Sequence, residues 1–216
     1  MSERIVFFDI DGTITRHSSE RFFIRYLLQK KVLSFSDSIS ASLRYAYKHP
    51  KHLLKTGFKQ NKMYLRGLEV GLVQRLAEQC FDEYIRPSVK SVMVEAIEAC
   101  RKEGYTIVLL SGSLRCLAEP MQLFLKAEDL ICSETEIVNN QYTGEMTSLH
   151  PYGKNKKTLA HQYCVEHQIT LQCCRAYANE WADRFLMQAV GEAVAVDPDK
   201  KLHKLSQSYD WRVLLS

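Results

Sequence analysis

Four consecutive apolar residues, Ile5-Val6-Phe7-Phe8, run straight into Asp9-Ile10-Asp11-Gly12-Thr13. A short, unbroken apolar run bounded by polar chain predicts a strand covered on both faces, as the strands of parallel sheets are. Residues two apart at a strand end point to the same side. Asp9 and Asp11 therefore aim at one small volume at the strand's carboxyl end, where open α/β sheets bind their ligands. Two carboxylates held that close raise each other's pKa unless a cation lies between them. A hard divalent ion such as Mg2+, which takes oxygen ligands and keeps waters, meets that need. Gly12 allows a sharp turn, and Thr13 brings a hydroxyl to it.

The stretch D-I-D-G-T after a buried strand resembles the first motif, D-x-D-G-T, of the haloacid dehalogenase superfamily of phosphohydrolases. The resemblance implies that Asp9 is a nucleophile forming an aspartyl-phosphate. It implies that Asp11 is the general acid and base, and that Mg2+ is the cofactor. Both roles agree with general chemistry, since a carboxylate nucleophile splits phosphoryl transfer into two easier steps and a second carboxyl shuttles the proton.

With 216 residues, 46% of them apolar and 25% charged, the chain is long enough for one domain with an insertion. No run of eighteen apolar residues predicts a membrane-spanning helix. The first strand begins by residue 5, which leaves no room for a cleavable leader. The seven cysteines are odd in number and scattered without a CxxC pair. Reduced, mostly buried thiols in a cytoplasmic protein are expected.

Apolar stripes at helical spacing predict helices after Ser18, over 37–47, over 51–66 and over 69–85, with Pro50 and Pro87 as punctuation. From residue 88 onward helix and strand alternate: helix 88–103 closed by Gly104, strand 106–110, helix 114–125 and strand 129–132. A hairpin is expected around Asn139-Asn140, then helix 156–167, strand 175–177, helix 180–190, strand 193–196 and helix 200–208. That order predicts a Rossmann-like α/β fold, a parallel sheet with helices on both faces. Residues 16–86 read as an all-helical insertion, giving an α/β core of 1–15 and 87–216. The insertion resembles the cap of one branch of the superfamily, subfamily IB, whose members are phosphoserine-phosphatase-like. The tail 194–202, Asp210-Trp211-Arg212-Val213-Leu214 and Tyr142-Thr143-Gly144 also look like that branch, so the resemblance spans essentially the whole chain.

Ser111-Gly112 closes a buried strand ahead of a helix. A hydroxyl with the N–H groups of a helix start makes an anion site, and the family's second motif binds the phosphoryl group at such a strand end. The resemblance also implies a lysine that neutralises phosphoryl oxygens. Lys154, Lys156 and Lys157 are candidates; family spacing favours Lys156, with Lys154 as the alternative. The fourth motif, G-D-x-x-x-D in the family, departs from pattern here: Ala178-Asn179-Glu180-Trp181-Ala182-Asp183. By resemblance Asp9, Asp11, Asn179 and Asp183 are the metal residues, while Ser111, Gly112 and Thr13 face the substrate. Asn179 in place of an aspartate removes one negative ligand and weakens Mg2+ binding. A phosphate-binding protein impaired in turnover is therefore the alternative to a hydrolase. Phosphoryl transfer to an acceptor other than water is a third expectation.

The net charge of +4 is uneven: residues 38–68 hold seven Lys or Arg and no Asp or Glu, leaving a net of −3 elsewhere. Lys48, Lys51, Lys55, Lys59, Lys62 and Arg66 recur every three or four residues and would share one face if the helix were continuous across Gly57. The segment 44–66 thus suits a phosphorylated small molecule, or an anionic phospholipid through peripheral membrane contact. No motif for reading nucleic acid is present. Phosphoserine phosphatases place a Glu nine residues after the nucleophile. Here that position is Ser18, with Glu20 two residues late, so phosphoserine is the less favoured substrate and the sequence does not name another.

Overall fold

The computed structural model describes residues 4–56 and 58–216, without the side chains of His52, Lys55 and Thr56. The first strand, β1 (Arg4–Phe8), forms on the apolar run, and its alternate side chains feed two cores. Val6 and Phe8 join Ile107, Leu109, Tyr177 and Val194 on one face. Ile5 and Phe7 join Val108, Leu110, Ala176 and Ala195 on the other. A strand buried on both faces belongs inside a sheet. Accordingly β1 lies between β2 (Tyr105–Leu114) and β6 (Arg175–Ala178), parallel to both.

The sheet is completed by β3 (Asp129–Ser133), β7 (Glu192–Val196) and β8 (Arg212–Leu214). Its order is β3-β2-β1-β6-β7-β8, parallel throughout. The chain builds outward from β1 on one side, then returns to build the other. The carboxyl ends of β1, β2 and β6 consequently border the crevice where such sheets place ligands.

One face of the sheet is covered by α1 (Ser19–Gln29), α5 (Ser91–Lys102) and α6 (Arg115–Leu125), with α4 (Val70–Cys80) packed on α1 and α6 in the same apolar cluster. The other face carries α7 (Lys154–Glu166), α8 (Arg184–Met187) and α9 (Lys200–Ser208). Since α1 and α4 come from the segment 16–86, one apolar cluster runs from the sheet into that insertion. Two further helices of the insertion, α2 (Phe35–Lys48) and α3 (Pro50–Thr56), lie farther out. The hairpin of β4 (Thr135–Val138) and β5 (Gln141–Met146) turns at Asn139 and Asn140, both with positive φ, as a two-residue hairpin requires. It docks on the insertion through backbone bonds, Gly67 N–H to Tyr142 O at 2.8 Å and Tyr142 N–H to Leu68 O at 3.0 Å.

Three expectations need correction. The helix expected over 51–66 ends at Thr56; Asn61 then bonds back to Phe58 O and a tight turn occupies Met63–Leu65. The basic residues therefore do not share one helical face. Lys48 pairs with Glu145 at 2.7 Å, Lys59 with Glu180 at 2.6 Å, and Lys62 is wholly buried on Glu20. The Lys55 side chain and Gly57, on which continuity turned, lie outside the described residues. Second, β2 does not close before Ser111 but extends through Ser113 to Leu114, held by Leu114 pairing with Ser133. The helix therefore begins at Arg115, three residues beyond Gly112. Third, the helix expected over 180–190 is a tight turn, Trp181–Asp183, followed by the four-residue α8. The turn is fixed by the Trp181 N–H donating to Asp199 Oδ2 at 2.6 Å, and it directs Asp183 inward.

Gly144 tests the docking of the hairpin. Its φ is +84°, and a Cβ there would lie 2.9 Å from Met63 Cα and 3.2 Å from Lys62 O. Gly144→Ala is expected to destabilise the fold by about 1–3 kcal/mol, read as a lower urea midpoint; an unchanged midpoint would show that the hairpin is not held against Met63.

Candidate active site

The loop after β1 is held open by two features. Gly12 takes a φ of +86°, and a Cβ on it would come within 2.3 Å of Asn179 Nδ2, so only glycine lets the amide pack this closely. The buried Lys90 reaches across and donates to Gly12 O and to Asp197 Oδ2, both at 2.7 Å. It pins the loop to the end of β7. Nothing in the sequence around Lys90 signals this, because its partners lie 78 and 107 positions away.

Asp9 lies at the end of β1, its N–H bonded to Tyr177 O at 3.1 Å. Its Oδ1 meets Lys156 Nζ at 2.7 Å, and its Oδ2 accepts from Thr13 Oγ1 at 2.8 Å. Lys156 also contacts Asp183 Oδ1 at 2.9 Å, and all three groups are buried. Of the three candidate lysines, Lys156 reaches Asp9; Lys154 is exposed and lies over the Phe185 ring.

Asp11 is arranged differently. Its Oδ1 accepts from the Ser19 N–H and its Oδ2 from Ser113 Oγ, each at 2.8 Å. Ser111 Oγ lies 3.2 Å from Ser113 Oγ. Ser113 was legible in principle, since i and i+2 share a side in a strand that continues. Behind Gly112, Ser133 Oγ donates to Gly112 O at 2.7 Å and meets His150 Nδ1 at 2.8 Å.

Burial raises the pKa of Asp9, Asp11 and Asp183. For Asp9 and Asp183 the Lys156 ammonium opposes that rise; Asp11 has hydroxyl and amide donors instead of a cation. Burial works against the charged form of Lys156, yet Asp183 and Asp9 outweigh it and raise its pKa. The lysine is a fixed cation. His150 is pushed down to about 3 by burial and by Lys62, Lys156 and Lys59, so it is a neutral imidazole.

A hard cation fits the remaining donors. Thr13 Oγ1 lies 2.8 Å from Asp9 Oδ2 and 3.1 Å from Asn179 Oδ1, and its single proton serves one of these oxygens at a time. Two oxygen acceptors thus converge with an unfilled lone pair. Among the described residues, however, no group of three or more His, Cys, Asp or Glu forms a metal cage. A cation at this point would meet Asp9 and the Asn179 amide oxygen, which share Thr13 Oγ1, whereas both carboxyl oxygens of Asp11 already accept hydrogen bonds. Asp183, like Asp9, contacts Lys156.

Thr13, expected to face the substrate, is wholly buried on Asp9 and Asn179. Asp9, Asp11, Ser111, Lys156, Asn179 and Asp183 line a cavity of about 1130 Å3 whose walls also carry Arg16, Arg21, Arg25 and Lys59. Glu20 lines it too, but it is occupied: Lys62 Nζ contacts its two oxygens at 2.7 and 2.6 Å, and Tyr64 O–H donates to it at 2.8 Å.

A family model for haloacid dehalogenase-like hydrolases matches residues 6–188. The chain belongs to that family. It is similar to a phosphoserine phosphatase of Mycobacterium tuberculosis, 23% identical over 212 residues, covering 96% of this chain and 69% of that one. Among solved structures it is similar to a Bordetella pertussis protein of unknown function (TM-score 0.84, 17% identity, 99% of each chain). A substrate-bound phosphoserine phosphatase superposes with TM-score 0.68 at 12% identity, over 99% of this chain and 93% of that one. With the family come the fold, a Rossmann-like α/β core, and the class, a hydrolase of the phosphatase type.

His150 makes a measurable contribution to pH dependence. Folded, it stays neutral to about pH 3, whereas unfolded it takes a proton near its ordinary 6.5. The unfolded state binds more protons between those limits, so lowering the pH through them costs up to about 1.4 kcal/mol per pH unit from this group. The raised carboxyls act in the opposite sense and are kept in a His150→Asn variant. Urea midpoints compared at about pH 7 and about pH 5 should fall more steeply in the wild type than in the variant. Equal slopes would place the His150 proton elsewhere.

Proposed function

We propose that the protein is a Mg2+-dependent phosphomonoester hydrolase that works through an aspartyl-phosphate on Asp9. The observation that carries the reading is the unequal treatment of two neighbouring carboxyls: Lys156 contacts Asp9 at 2.7 Å, while Asp11 has no cation partner among the described residues. The lysine favours the anion on Asp9, as a nucleophile requires. Burial without a cation favours the proton on Asp11, as a general acid requires.

In the first step an Asp9 oxygen bonds to phosphorus and the bond from phosphorus to the ester oxygen breaks. Asp11 gives its proton to the departing alkoxide. In the second step Asp11, now a carboxylate, takes a proton from water. The water oxygen attacks phosphorus, and the bond to Asp9 breaks to release phosphate. Ser111 and Gly112 line the cavity beside Asp9 and would hold the phosphoryl oxygens. Lys156 balances their charge, and Asp183 holds Lys156 in place. Mg2+ held by Asp9 and the Asn179 amide oxygen would supply further neutralisation of the phosphoryl group and leave the Asp11 carboxyl to carry the proton.

The substrate is a small or lipid-linked phosphate ester. Arg16, Arg21 and Arg25 in the cavity wall support an anionic substrate. A substrate ammonium group finds no free carboxylate at Glu20, since Lys62 and Tyr64 occupy it. That argues against phosphoserine, the substrate named for some relatives.

Phosphate release from a panel of phosphomonoesters is expected to require Mg2+ and to fall by on the order of 10^3-fold or more in Asp9→Asn. Turnover that survives this substitution would rule the mechanism out. Asn179→Asp restores a negative ligand and should tighten Mg2+ by about tenfold in a metal titration. No change would remove Asn179 from the metal's surroundings.

A further inference from the structure

A surface helix ordinarily turns its large apolar residues inward and its polar residues outward. α2 also turns large apolar residues outward. Phe35, Ile39, Leu43 and Tyr47 recur every four residues and are 74%, 48%, 67% and 90% exposed, forming a single stripe along the helix. The face turned toward the protein carries Ser38, Ala41, Ser42 and Tyr45. Leu54 of α3, 88% exposed, and Phe58, 52% exposed, extend the apolar surface. The helix is nonetheless firmly started by a capping box, with the Asp37 N–H donating to Ser34 Oγ and the Ser34 N–H to Asp37 Oδ2.

Charge decides what such a face meets. Arg44 flanks the stripe and Lys51 follows it, both exposed, within a segment that has no acidic residue from 38 to 68; Lys48, beside them, is paired with Glu145. A second copy of the chain would bring the same positive segment against this one, so like charges would oppose the contact. An anionic bilayer offers both counterparts, acyl chains for the stripe and headgroups for the cations. Phe35 and Tyr47 are residue types that settle at that boundary. No helix among the described residues is long and apolar enough to cross a membrane, whereas a 14-residue helix of this pattern lies along one.

Position ties the stripe to the site. Ser38 and Ser42 of α2 line the catalytic cavity, as does Phe58. We infer that α2 and α3 dock the protein on an anionic lipid surface, with the mouth of the cavity set beside the headgroups. The surface is built from one helical stripe and its basic flank. It does not require the six basic residues of the segment to share a face, and it does not depend on turnover.

Sedimentation with vesicles tests it directly. The full chain should pellet with vesicles of mixed phosphatidylglycerol and phosphatidylcholine, and far less with phosphatidylcholine alone. Replacing Phe35→Ser, Leu43→Ser and Tyr47→Ser together should lower partitioning by about tenfold or more, with circular dichroism unchanged because all three side chains are exposed. A second variant, Arg44→Gln with Lys51→Gln, should lose the preference for anionic vesicles. Absence of the wild type from the anionic pellet, or equal partitioning of wild type and both variants, would overturn the proposal. So would a dimer, seen by light scattering, that the triple substitution dissolves; that result would assign the stripe to a second copy.

Discussion

The ammonium of Lys156, shared between Asp9 and Asp183, is the interaction on which the rest of the site depends. All three groups are buried, and removing one member of such a set leaves an uncompensated charge at a cost of about 3–5 kcal/mol. The three residues come from the end of β1, the start of α7 and the turn after β6. Holding them within hydrogen-bond distance therefore requires the sheet to have its observed order, with β1 beside β6. The same contact separates the two carboxyls of the first motif. Asp9 faces a cation and Asp11 faces hydroxyl and amide donors, so identical side chains two residues apart acquire different chemistry.

Much of this was legible because it is local. The apolar run of β1, the spacing of Asp9 and Asp11, the alternation of strands and helices after residue 88 and the Asn139-Asn140 turn each depend on neighbours in the chain. The misreadings arise where a distant partner decides. Lys62 has the spacing of a solvated stripe, yet Glu20, 42 positions earlier, takes it into the interior. The expected helix over 180–190 is interrupted because Asp199 captures the Trp181 N–H and Lys156 captures Asp183. Choosing Lys156 among three adjacent lysines rested on family spacing, and the geometry places that side chain on Asp9.

Hydrophobic periodicity has a related weakness. It reports that one face of a helix is apolar and is silent on what that face meets. In α4 the stripe Val73, Leu76, Ala77 and Cys80 is buried, the helix packing on α1 and α6 within the apolar cluster that reaches the sheet. In α2 an equally regular stripe points away from the protein. Burial is what separates the two cases, and burial is a property of the whole fold.

The inserted segment contributes more than cover. Lys59 reaches from it to Glu180, beside Asn179, and Lys62 with Tyr64 fixes Glu20 on α1. Each tie brings charge to the cavity or consumes it. Once Glu20 is neutralised and Glu180 is paired, the cations left in the wall without an ion-pair partner among the described residues are Arg16, Arg21 and Arg25. A cavity of this kind has its outer part biased toward anions, while its inner carboxyls need cations to work. The charge of the cavity wall is thus fixed by one ion pair within segment 16–86, Lys62 with Glu20, and one from it to the loop after β6, Lys59 with Glu180.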